Sequence, residues 1–468
     1  MKKIVLTLIA TIPALMSAVS CTDYLEPGEI DLTIETPPFE YPETYTFTHP
    51  CALVTESDLN RIRTSIETAS TTDPVYVSWQ QLCANRLAQS TYQANPVETL
   101  VRGDATGTGV DKENYTETAD PDAAAAFQLA LRYRISGDTS YADAAVKVLN
   151  DWADVCKRIT ANDNNQYLLA GFQGYQFANA AELLRDYSGW AAADQADFKQ
   201  WLLNVWYAKN KWFIENHGGS GVCNLHYWSN WELANLASIL AIGIYTENIE
   251  MINLVYRNFR EGEGSGCINN MIPYDPVPDQ ADGTNEAIPG NMVAQNMESG
   301  RDQGHATLVV AVCAELCQMA ENIGLDFWGM EDNKILAMCE YTAKYNCRPE
   351  GSFICTTMPF TTYEYCPEGC GCSDHSHGKT HTQVSPGEQG NENRGTIRPC
   401  WDLVYAHYAK VEGLGENRVH YSKLFAEQLR YTNGTLTGDG GAGDDRYGSN
   451  SSAFDQIGWG TLLFYRGE

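Results

Sequence analysis

The octapeptide ESGRDQGH, residues 298–305, stands directly before a strongly apolar segment, residues 306–320. Most of its side chains are polar or ionisable. Asp302 has the position of a helix N-cap, which places Arg301 just before the helix and His305 in its first turn. Because side chains on neighbouring turns lie close together, these groups can converge on one small volume. The stretch predicts a buried helix whose start is either an ordinary charged helix end or a functional site.

Segments with helical periodicity occur in pairs on both sides of this helix. The predicted pairs are 121–135 with 141–156, 168–187 with 193–215, 230–245 with 249–259, 304–323 with 333–345, and 399–411 with 417–431. No segment with strand periodicity is long enough to build a sheet domain. Repeated helix pairs predict an open solenoid or a closed toroid, and the absence of strict sequence repeats favours the toroid. We therefore predict an all-α fold, an (α/α) toroid or incomplete barrel of antiparallel helix hairpins with long rim loops.

Three loops interrupt the helical pattern and carry most of the remaining polar residues. They are residues 216–230, rich in Gly, His and aromatic residues, residues 264–297, rich in Pro, Gly and Asn, and residues 347–398. Long loops without secondary structure are usually functional or disordered. In a toroid all three can lie on one rim, with the octapeptide between them.

The N-terminus has the pattern of a lipoprotein signal. Lys2 and Lys3 precede an apolar run that is too short to span a bilayer, and small residues lead to Cys21. We predict a signal peptide over residues 1–20, a lipidated Cys21 with a flexible linker over residues 21–50, and a single domain over residues 51–468. The expected location is the periplasm or the outer membrane, with membrane contact only through the lipid anchor.

Charge and cysteine content restrict the class of partner. The formal net charge is −29, which argues against nucleic acid. A local group of Arg and His can still bind an anion, because physiological salt screens distant charges beyond roughly 8 Å. The chain has 15 cysteines, and removing Cys21 leaves 14, an even number that an exported protein can pair in disulfides.

The polar groups near the octapeptide suit β-elimination on a uronic acid. Asn230 and Arg301 can bind the sugar carboxylate and stabilise the enolate-like transition state. A base must then remove the C5 proton and an acid must protonate the departing O4, and His and Tyr side chains can share these roles. The alternatives are structural: Asn230 as the N-cap of the following helix, Arg301 as an ion-pair partner of Glu298 or Asp302, and His226 within a packed aromatic cluster.

One segment resembles a metal site, although its spacing matches no standard zinc pattern. Its potential ligands are Cys366, Cys370, Cys372, His375, His377 and His381. Cysteines in an oxidising compartment more often pair with each other. We expect no catalytic metal and no cofactor, with a structural metal at this segment as the alternative.

Four motifs together resemble the alginate lyase domain superfamily of polysaccharide lyases, and within it polysaccharide lyase family 38. They are ESGRDQGH at 298–305, GLDFWG at 324–329, EYTAKYN at 340–346 and RPCWDLVYAHY at 398–408. The resemblance covers roughly residues 120–412. It implies an (α/α) toroid that cleaves alginate or a related polyuronate such as glucuronan by β-elimination at a 4-O-linked uronic acid.

The resemblance also implies roles for individual residues. Asn230 fits the Asn that neutralises the carboxylate, Trp231 stands where relatives have His, and His305 falls close to their catalytic Tyr. The candidate catalytic residues are Asn230, Arg301, His305, His226, Tyr363 and Tyr345, with His305 or His226 as the base and a Tyr as the acid. The candidate substrate-binding residues are Gln173, Trp231, Glu298, Gln303, Arg394 and Arg398.

Two other functions remain open at this point. A glycan-binding surface lipoprotein without catalytic activity would use the same loops only to capture an acidic polysaccharide. An α/α-toroid glycoside hydrolase would need two carboxylates across the scissile bond, and Glu298 or Asp302 would have to pair with a distant partner.

Overall fold

The computed structural model describes residues 40–42, 44–103, 112–161, 163–217, 223–282, 285–363, 383–444, 446–447 and 453–467. Residues Tyr41–Glu468 form one compact unit. The predicted signal peptide, the lipidated Cys21 and the possible metal ligands between residues 366 and 381 lie outside the described residues. Within the described ranges, no helix combines the length and apolar character that a membrane span requires.

Helices dominate the described chain. In chain order they are α1 Glu56–Thr68, α2 Pro74–Ala84, α3 Ala119–Ser136, α4 Thr139–Val155, α5 Asn165–Leu184, α6 Ala192–Trp201, α7 Ala208–Asn216, α8 Ser229–Thr246, α9 Ile249–Glu261, α10 Ile268–Met271, α11 Gln303–Asn322, α12 Met330–Asn346, α13 Trp401–Tyr405, α14 His420–Arg430 and α15 Gly460–Phe464. Wider π-type turns join α6 to α7 over Leu202–Tyr207 and extend α13 over Ala406–Val411. Short 3₁₀ turns lie at Arg86–Ala88, Tyr115–Glu117, Pro349–Gly351, Gln389–Asn391 and Glu416–Val419.

The helices form an inner set and an outer set. Helices α3, α5, α8 and α11 are buried on nearly all faces, and neighbours in that order pack against each other. Helices α4, α9 and α14 are amphipathic, with one buried face each. α4 covers α3 and α9 covers α8 from outside, and α14 packs against α12 and α13. A helix that is apolar all round must lie inside a helical layer, whereas an amphipathic one can face water. The all-α toroid predicted from the sequence is confirmed.

Strands are few and short in the described chain. They are β1 Thr99–Val101, β2 Arg158–Thr160, β3 Val277–Pro278, β4 Met292–Val293, β5 Tyr431–Thr432 and β6 Thr435–Leu436. β1 pairs with β2 in parallel, and the pairs β3–β4 and β5–β6 are antiparallel. These ladders fasten loops to the helices and form no sheet layer.

Close contacts set the direction of the inner helices. A Cβ on Gly171 of α5 would lie 2.7 Å from the Cβ of Ala234 on α8, and a Cβ on Gly174 would lie 2.3 Å from Ser238 Oγ. Both contacts run forward along both helices, so α5 and α8 are parallel and their first turns meet the same rim. Glycine is required at both positions because any side chain would force the helices apart.

Residues 41–50, predicted as the end of the flexible linker, are packed on the compact unit. Tyr41 is buried and its N–H donates to Asn253 Oδ1 at 2.9 Å. His49 Nδ1 lies 2.5 Å from Oε1 of the buried Glu182. The aromatic residues of this segment bury apolar area, which offsets the entropy of ordering a Pro-rich chain. The compact unit therefore begins ten residues before the predicted domain boundary.

Ten cysteines of the described chain are free thiols. They are Cys51, Cys83, Cys156, Cys267, Cys313, Cys317, Cys339, Cys347, Cys355 and Cys400. Cys313 Sγ and Cys317 Sγ, one helical turn apart, are separated by 3.9 Å and form no disulfide. The disulfide pairing expected from the even cysteine count is therefore wrong for these residues. Most of them are buried among helices, where a thiol packs as a small apolar side chain.

Candidate functional site

The octapeptide folds into a tight turn that leads into α11. Asp302 is the N-cap, and its Oδ1 accepts a hydrogen bond from the backbone N–H of His305 at 3.0 Å. The backbone N–H of Arg301 donates to the carbonyl of Glu298 at 3.0 Å, which closes the turn before the cap. The N-cap predicted at Asp302 is confirmed, and the turn brings the side chains of Glu298, Arg301 and His305 together.

Glu298 is the centre of a buried polar cluster. Its Oε1 accepts from the backbone N–H of Asn230 at 3.1 Å, and its Oε2 accepts from the Asn230 side-chain amide at 3.3 Å and from Arg301 Nη1 at 3.0 Å. Burial raises the pKa of Glu298, while the charges of Arg301 and His305 and the hydrogen bond from Asn230 act against that rise. The Glu298 carboxylate thus binds both the Asn230 amide and the Arg301 guanidinium, the two groups predicted to bind the sugar carboxylate.

Asn230 does not cap α8. The helix begins at Ser229 with Trp228 in the cap position, and the cap residue makes no side-chain capping bond. Asn230 therefore lies inside the first turn, buried, with its amide directed to Glu298. The interpretation of Asn230 as a simple N-cap is wrong.

Trp228 is a site residue that the sequence did not single out. The guanidinium carbon of Arg301 lies 4.5 Å from the centroid of the Trp228 ring, within the range of a cation–π contact. Glu298 holds Arg301 from one side and Trp228 from another, and a quarter of the Arg301 side chain stays exposed. The fixed guanidinium can therefore present its remaining N–H groups to a ligand. The signal for Trp228 was its position one turn before Trp231, where an aromatic side chain meets the helix start.

Trp231 and His226, also predicted for the site, belong to an aromatic cluster at the start of α8. The Trp231 ring lies 4.7 Å from Tyr227 and 6.0 Å from Phe213, and the His226 ring meets Tyr227 edge-on at 4.9 Å. His226 is buried and Trp231 is half-buried. The cluster packs the rim loop 223–231 against α7.

His305 forms a dyad with Asp302. His305 Nδ1 lies 2.6 Å from Asp302 Oδ2, and both side chains are largely covered, with 18% and 10% of their surface exposed. Burial raises the pKa of Asp302, but the hydrogen bonds and charge of His305 and the charge of Arg301 outweigh it, so the pKa is lowered. An ionised carboxylate only accepts hydrogen bonds, so His305 Nδ1 carries the proton. Nε2 is then the nitrogen left to act on a substrate.

Tyr345, Arg394 and Gln303 support this turn from the side of residues 383–398. Gln303 is buried, and its Nε2 donates to the carbonyls of Ser299 and Gly390. Tyr345 is also buried, and its hydroxyl donates to Asn391 Oδ1 at 2.7 Å. The guanidinium of Arg394 covers the Tyr345 ring at 3.8 Å. The three predicted residues therefore clamp the loop that covers the octapeptide.

Two further predicted substrate-binding residues are fully buried. Arg398 Nη1 lies 3.7 Å from Asp455 Oδ2, and burial lowers the pKa of Arg398. Gln173, on α5, donates from Nε2 to Asp120 Oδ1 at 2.7 Å, at the same rim as Asn230. In this conformation Arg398 has no open surface to meet a polymer.

Tyr363 lies on the rim and is half-buried. Burial, with smaller effects of Tyr274 and Cys223, raises its pKa to about 12. Two residues earlier, the backbone N–H of Thr361 donates to Gln295 Oε1, and the Thr361 carbonyl accepts from Gln295 Nε2, at 2.8 Å each. Tyr363 is therefore a protonated phenol held between the 223–231 loop and the segment that leads into the octapeptide.

The arrangement combines three chemical abilities at one helix start. Arg301 can bind an anion, since Trp228 and Glu298 fix it and part of it is exposed. His305 can take up a proton at Nε2, since Asp302 holds Nδ1. The neighbouring rim carries a phenol that can give up a proton. No group of metal-ligating side chains occurs among the described residues of this site.

A comparison with protein families matches residues 71–269 to the alginate lyase family. The match confirms the predicted resemblance to the alginate lyase superfamily and the predicted enzyme class, polysaccharide lyase, while polysaccharide lyase family 38 stays a prediction. It includes Asn230 and ends before the octapeptide. A comparison with curated proteins gives no match.

Solved structures of alginate lyases are similar to this chain. An alginate lyase from Bacteroides ovatus is 14% identical, with 83% of this chain and 98% of that chain covered and a TM-score of 0.51. Alginate lyase A1-III from Sphingomonas species A1 is 13% identical, with 65% and 81% covered and a TM-score of 0.42. At 14% identity the likeness to the Bacteroides ovatus structure concerns the fold alone.

Proposed function

From the alginate lyase domain that this chain carries over residues 71–269, we propose that the protein cleaves a polyuronate by β-elimination at a 4-O-linked uronic acid. The substrate class is alginate or glucuronan, as expected for a relative of polysaccharide lyase family 38. The observation that carries the proposal is the pairing of a tethered, partly exposed Arg301 with a His305 whose Nδ1 is fixed, on neighbouring turns of one chain segment.

Arg301 neutralises the uronate carboxylate. The C5 proton is only weakly acidic while the adjacent carboxylate is charged, so a cation at that carboxylate stabilises the enolate-like transition state. Glu298 and Trp228 hold the guanidinium before substrate arrives, which removes most of the reorganisation that a free Arg side chain would need. Asn230 lies beneath and acts through Glu298 as a positioning residue.

His305 is the base that removes the C5 proton at Nε2. Asp302 accepts the Nδ1 proton and stabilises the imidazolium that forms when Nε2 takes the substrate proton. His226, the other predicted base, is buried, and its ring packs edge-on against Tyr227. The dyad therefore favours His305.

Tyr363 is the acid that protonates the departing O4. Its raised pKa keeps the phenol protonated at working pH, and its half-buried rim position leaves a path to substrate. Tyr345, the other predicted acid, has a pKa raised to about 12 by burial, but it is covered and its hydroxyl binds Asn391. The C5–H and C4–O bonds break, the C4=C5 double bond forms, and no water is added.

Hydrolysis is disfavoured by the placement of the two acidic residues of the octapeptide. Glu298 is fully buried and bonded to Asn230 and Arg301, and Asp302 is bonded to His305. A glycosidase requires two carboxyl groups on opposite sides of the scissile bond, whereas these two carboxylates are engaged by Asn230, Arg301 and His305.

A panel of purified polyuronates tests the proposal. Polymannuronate, polyguluronate and glucuronan are each mixed with the protein, and the absorbance of the unsaturated product is followed. We expect at least one polymer to give a rising signal that Arg301→Ala reduces by two orders of magnitude or more. Products with saturated ends would show hydrolysis, and binding without any shortening of the polymer would show a non-catalytic lectin.

Export remains part of the proposal. Lys2, Lys3, the apolar run and Cys21 support a lipoprotein of the periplasm or outer membrane, where an acidic polysaccharide would be met. Metabolic labelling with a fatty acid, lost in Cys21→Ser, measures the anchor directly.

A further inference from the structure

Arg102 lies directly after β1, at the rim where α5 begins. β1 pairs in parallel with β2, which leads into α5, so the ladder fixes the backbone of Arg102 beside the first turns of that helix. Only 8% of the residue is exposed. A guanidinium at this depth has lost most of its hydration and needs other partners.

The partners of Arg102 are two aromatic faces. Its guanidinium carbon lies 4.8 Å from the centroid of Tyr115 and 5.8 Å from that of Phe172. Among the described residues no carboxylate lies within ion-pair distance of it, and Nη1 is buried without a hydrogen-bond partner. The nearby acid Glu113 is engaged elsewhere, since its Oε2 accepts from the Gly103 N–H at 2.7 Å.

A buried charge without a partner is costly, so proteins normally pair such groups. Each of the other deeply buried arginines of the described chain has a carboxylate neighbour: Arg398 has Asp455 and Arg430 has Asp402. Arg102 differs from both. A cation held between two aromatic rings, with a free N–H, has the chemistry of a receptor for an anion.

The location of Arg102 connects it with the lyase site. Phe172, which Arg102 covers, follows Gly171, the residue that contacts Ala234 of α8. Ala234 is one turn beyond Asn230, so Arg102 lies on the same rim, one inner helix away from the Glu298 cluster.

We propose that Arg102 binds the carboxylate of a uronic acid residue of the polymer, at a subsite separate from the residue whose C5 proton is removed. The assignment rests on the proposed polyuronate substrate. It adds a second anchoring point, so a chain of several uronates is held better than a short fragment, and Arg102 contributes to binding more than to turnover.

The test compares Arg102→Met with wild type in the full chain. Met keeps much of the apolar stem against Tyr115 and Phe172 and removes the charge. Arg132→Met is the matched control, because the Arg132 guanidinium also covers a ring, Tyr141 at 4.0 Å, but it donates to the Ala88 carbonyl and lies toward the other end of α3.

Binding is measured by calorimetry in a His305→Ala background, so that the polymer is not consumed, with the polyuronate that wild type cleaves and with the same polymer after reduction of its carboxyls. We expect Arg102→Met to weaken binding of the acidic polymer by about tenfold to a hundredfold, the range for a charge-assisted hydrogen bond. KM should rise in parallel, kcat should fall less than threefold, and Tm should not fall. Arg132→Met should leave the affinity and KM unchanged.

Three results would overturn the assignment. If Arg102→Met cleaves the polymer with the same KM and binds it with the same affinity as wild type, Arg102 is not part of the binding site. The proposed lyase function would then remain intact. An equal loss of affinity for the carboxyl-reduced polymer would show that Arg102 recognises no anion. A lowered Tm with unchanged affinity would assign it a structural role. Absence of cleavage and of binding by wild type on every polyuronate is separate, since it overturns the proposed function itself.

Discussion

Glu298 shows how one side chain can prepare a site without facing the substrate. A fully buried carboxylate would be unstable alone, and here Arg301 and two N–H groups of Asn230 compensate it. The consequence for Arg301 is loss of rotamer freedom before any ligand binds. Because only one of its five N–H donors goes to Glu298, the guanidinium keeps capacity for a second carboxylate.

The Asp302–His305 dyad permits a clean test at a single atom. In Asp302→Asn the amide oxygen can still cap α11, since Asn is as good an N-cap as Asp, but the ionised acceptor for His305 Nδ1 is gone. We expect kcat to fall by about a hundredfold to ten-thousandfold, the range of general base catalysis, while Tm changes by only a few degrees. Initial rates on the cleaved polyuronate and thermal melts measure both.

The control for that prediction is Asp302→Ala, which removes the cap as well. It should lose about 1 kcal/mol of unfolding free energy in addition to the activity, the usual value of an N-cap. Equal activity of Asp302→Asn and wild type would show that the carboxylate serves only the helix.

The limits of sequence reasoning are clearest for individual residues. The octapeptide could be identified because its polar side chains occur together and precede an apolar helix. Arg102 stands alone directly after a strand. Its significance lies in the lack of a carboxylate partner among the described residues, which no local pattern encodes. Trp228 and Trp231 are equally aromatic in sequence, and only the geometry of the helix start decides that Trp228 meets Arg301.

At the scale of elements, periodicity predicted the five helix pairs with bounds that differ by a few residues. The sequence did not predict α1 and α2, or α15, which packs against both of them. These helices are shorter or less regular in their apolar spacing, and tertiary contacts stabilise them. The ordered segment 41–50 was missed for a similar reason, since its aromatic side chains find partners distant in sequence.

The inner helices carry buried acids that make stability depend on pH. Glu315 of α11 accepts a hydrogen bond from the Tyr175 hydroxyl at 2.6 Å, and burial raises the pKa of Glu315 from 4.5 to about 7 despite that bond. Between these values the folded state keeps a proton that the unfolded state has released. The free energy of unfolding therefore falls as pH rises, by about 3 kcal/mol at most from this group.

Glu315→Gln, which mimics the protonated acid, should remove this dependence. Relative to the variant, wild type should lose about 3 kcal/mol of unfolding free energy as pH rises from about 4.5 to about 8. Urea unfolding at several pH values gives the difference, in which the other buried carboxyls cancel because both proteins contain them. The exposed Glu412→Gln is the control and should follow wild type at each pH. A constant difference between wild type and Glu315→Gln would contradict the assignment.

For the whole molecule, the toroid places the first turns of parallel inner helices on one rim. Helix starts expose N–H groups and favour negative charge, so a rim of several such starts suits an anionic ligand. The pairing of Gln173 with Asp120 and of Asn230 with Glu298 joins neighbouring elements across that rim. The rest of the surface works against such a ligand, since the net charge of the chain is −29.

This opposition predicts an unusual response to salt. A polyuronate approaching a protein of charge −29 is repelled over the Debye length, which is about 30 Å at about 0.01 M ionic strength and about 8 Å at about 0.15 M. The contacts to Arg301 and Arg102 act at bonding distance and are screened less. We therefore expect kcat/KM to rise by roughly threefold to tenfold between these two salt concentrations, because screening speeds the encounter of like charges.

Above about 0.5 M NaCl the ion pairs between the polymer and the two arginines weaken, so kcat/KM should fall. The fall should be less steep in Arg102→Met, which has already lost one of these ion pairs. Initial rates at low substrate concentration measure both limbs. A steady fall of kcat/KM from the lowest salt onward would show that the cations of the rim dominate the approach of the polymer and that the acidic surface does not oppose it.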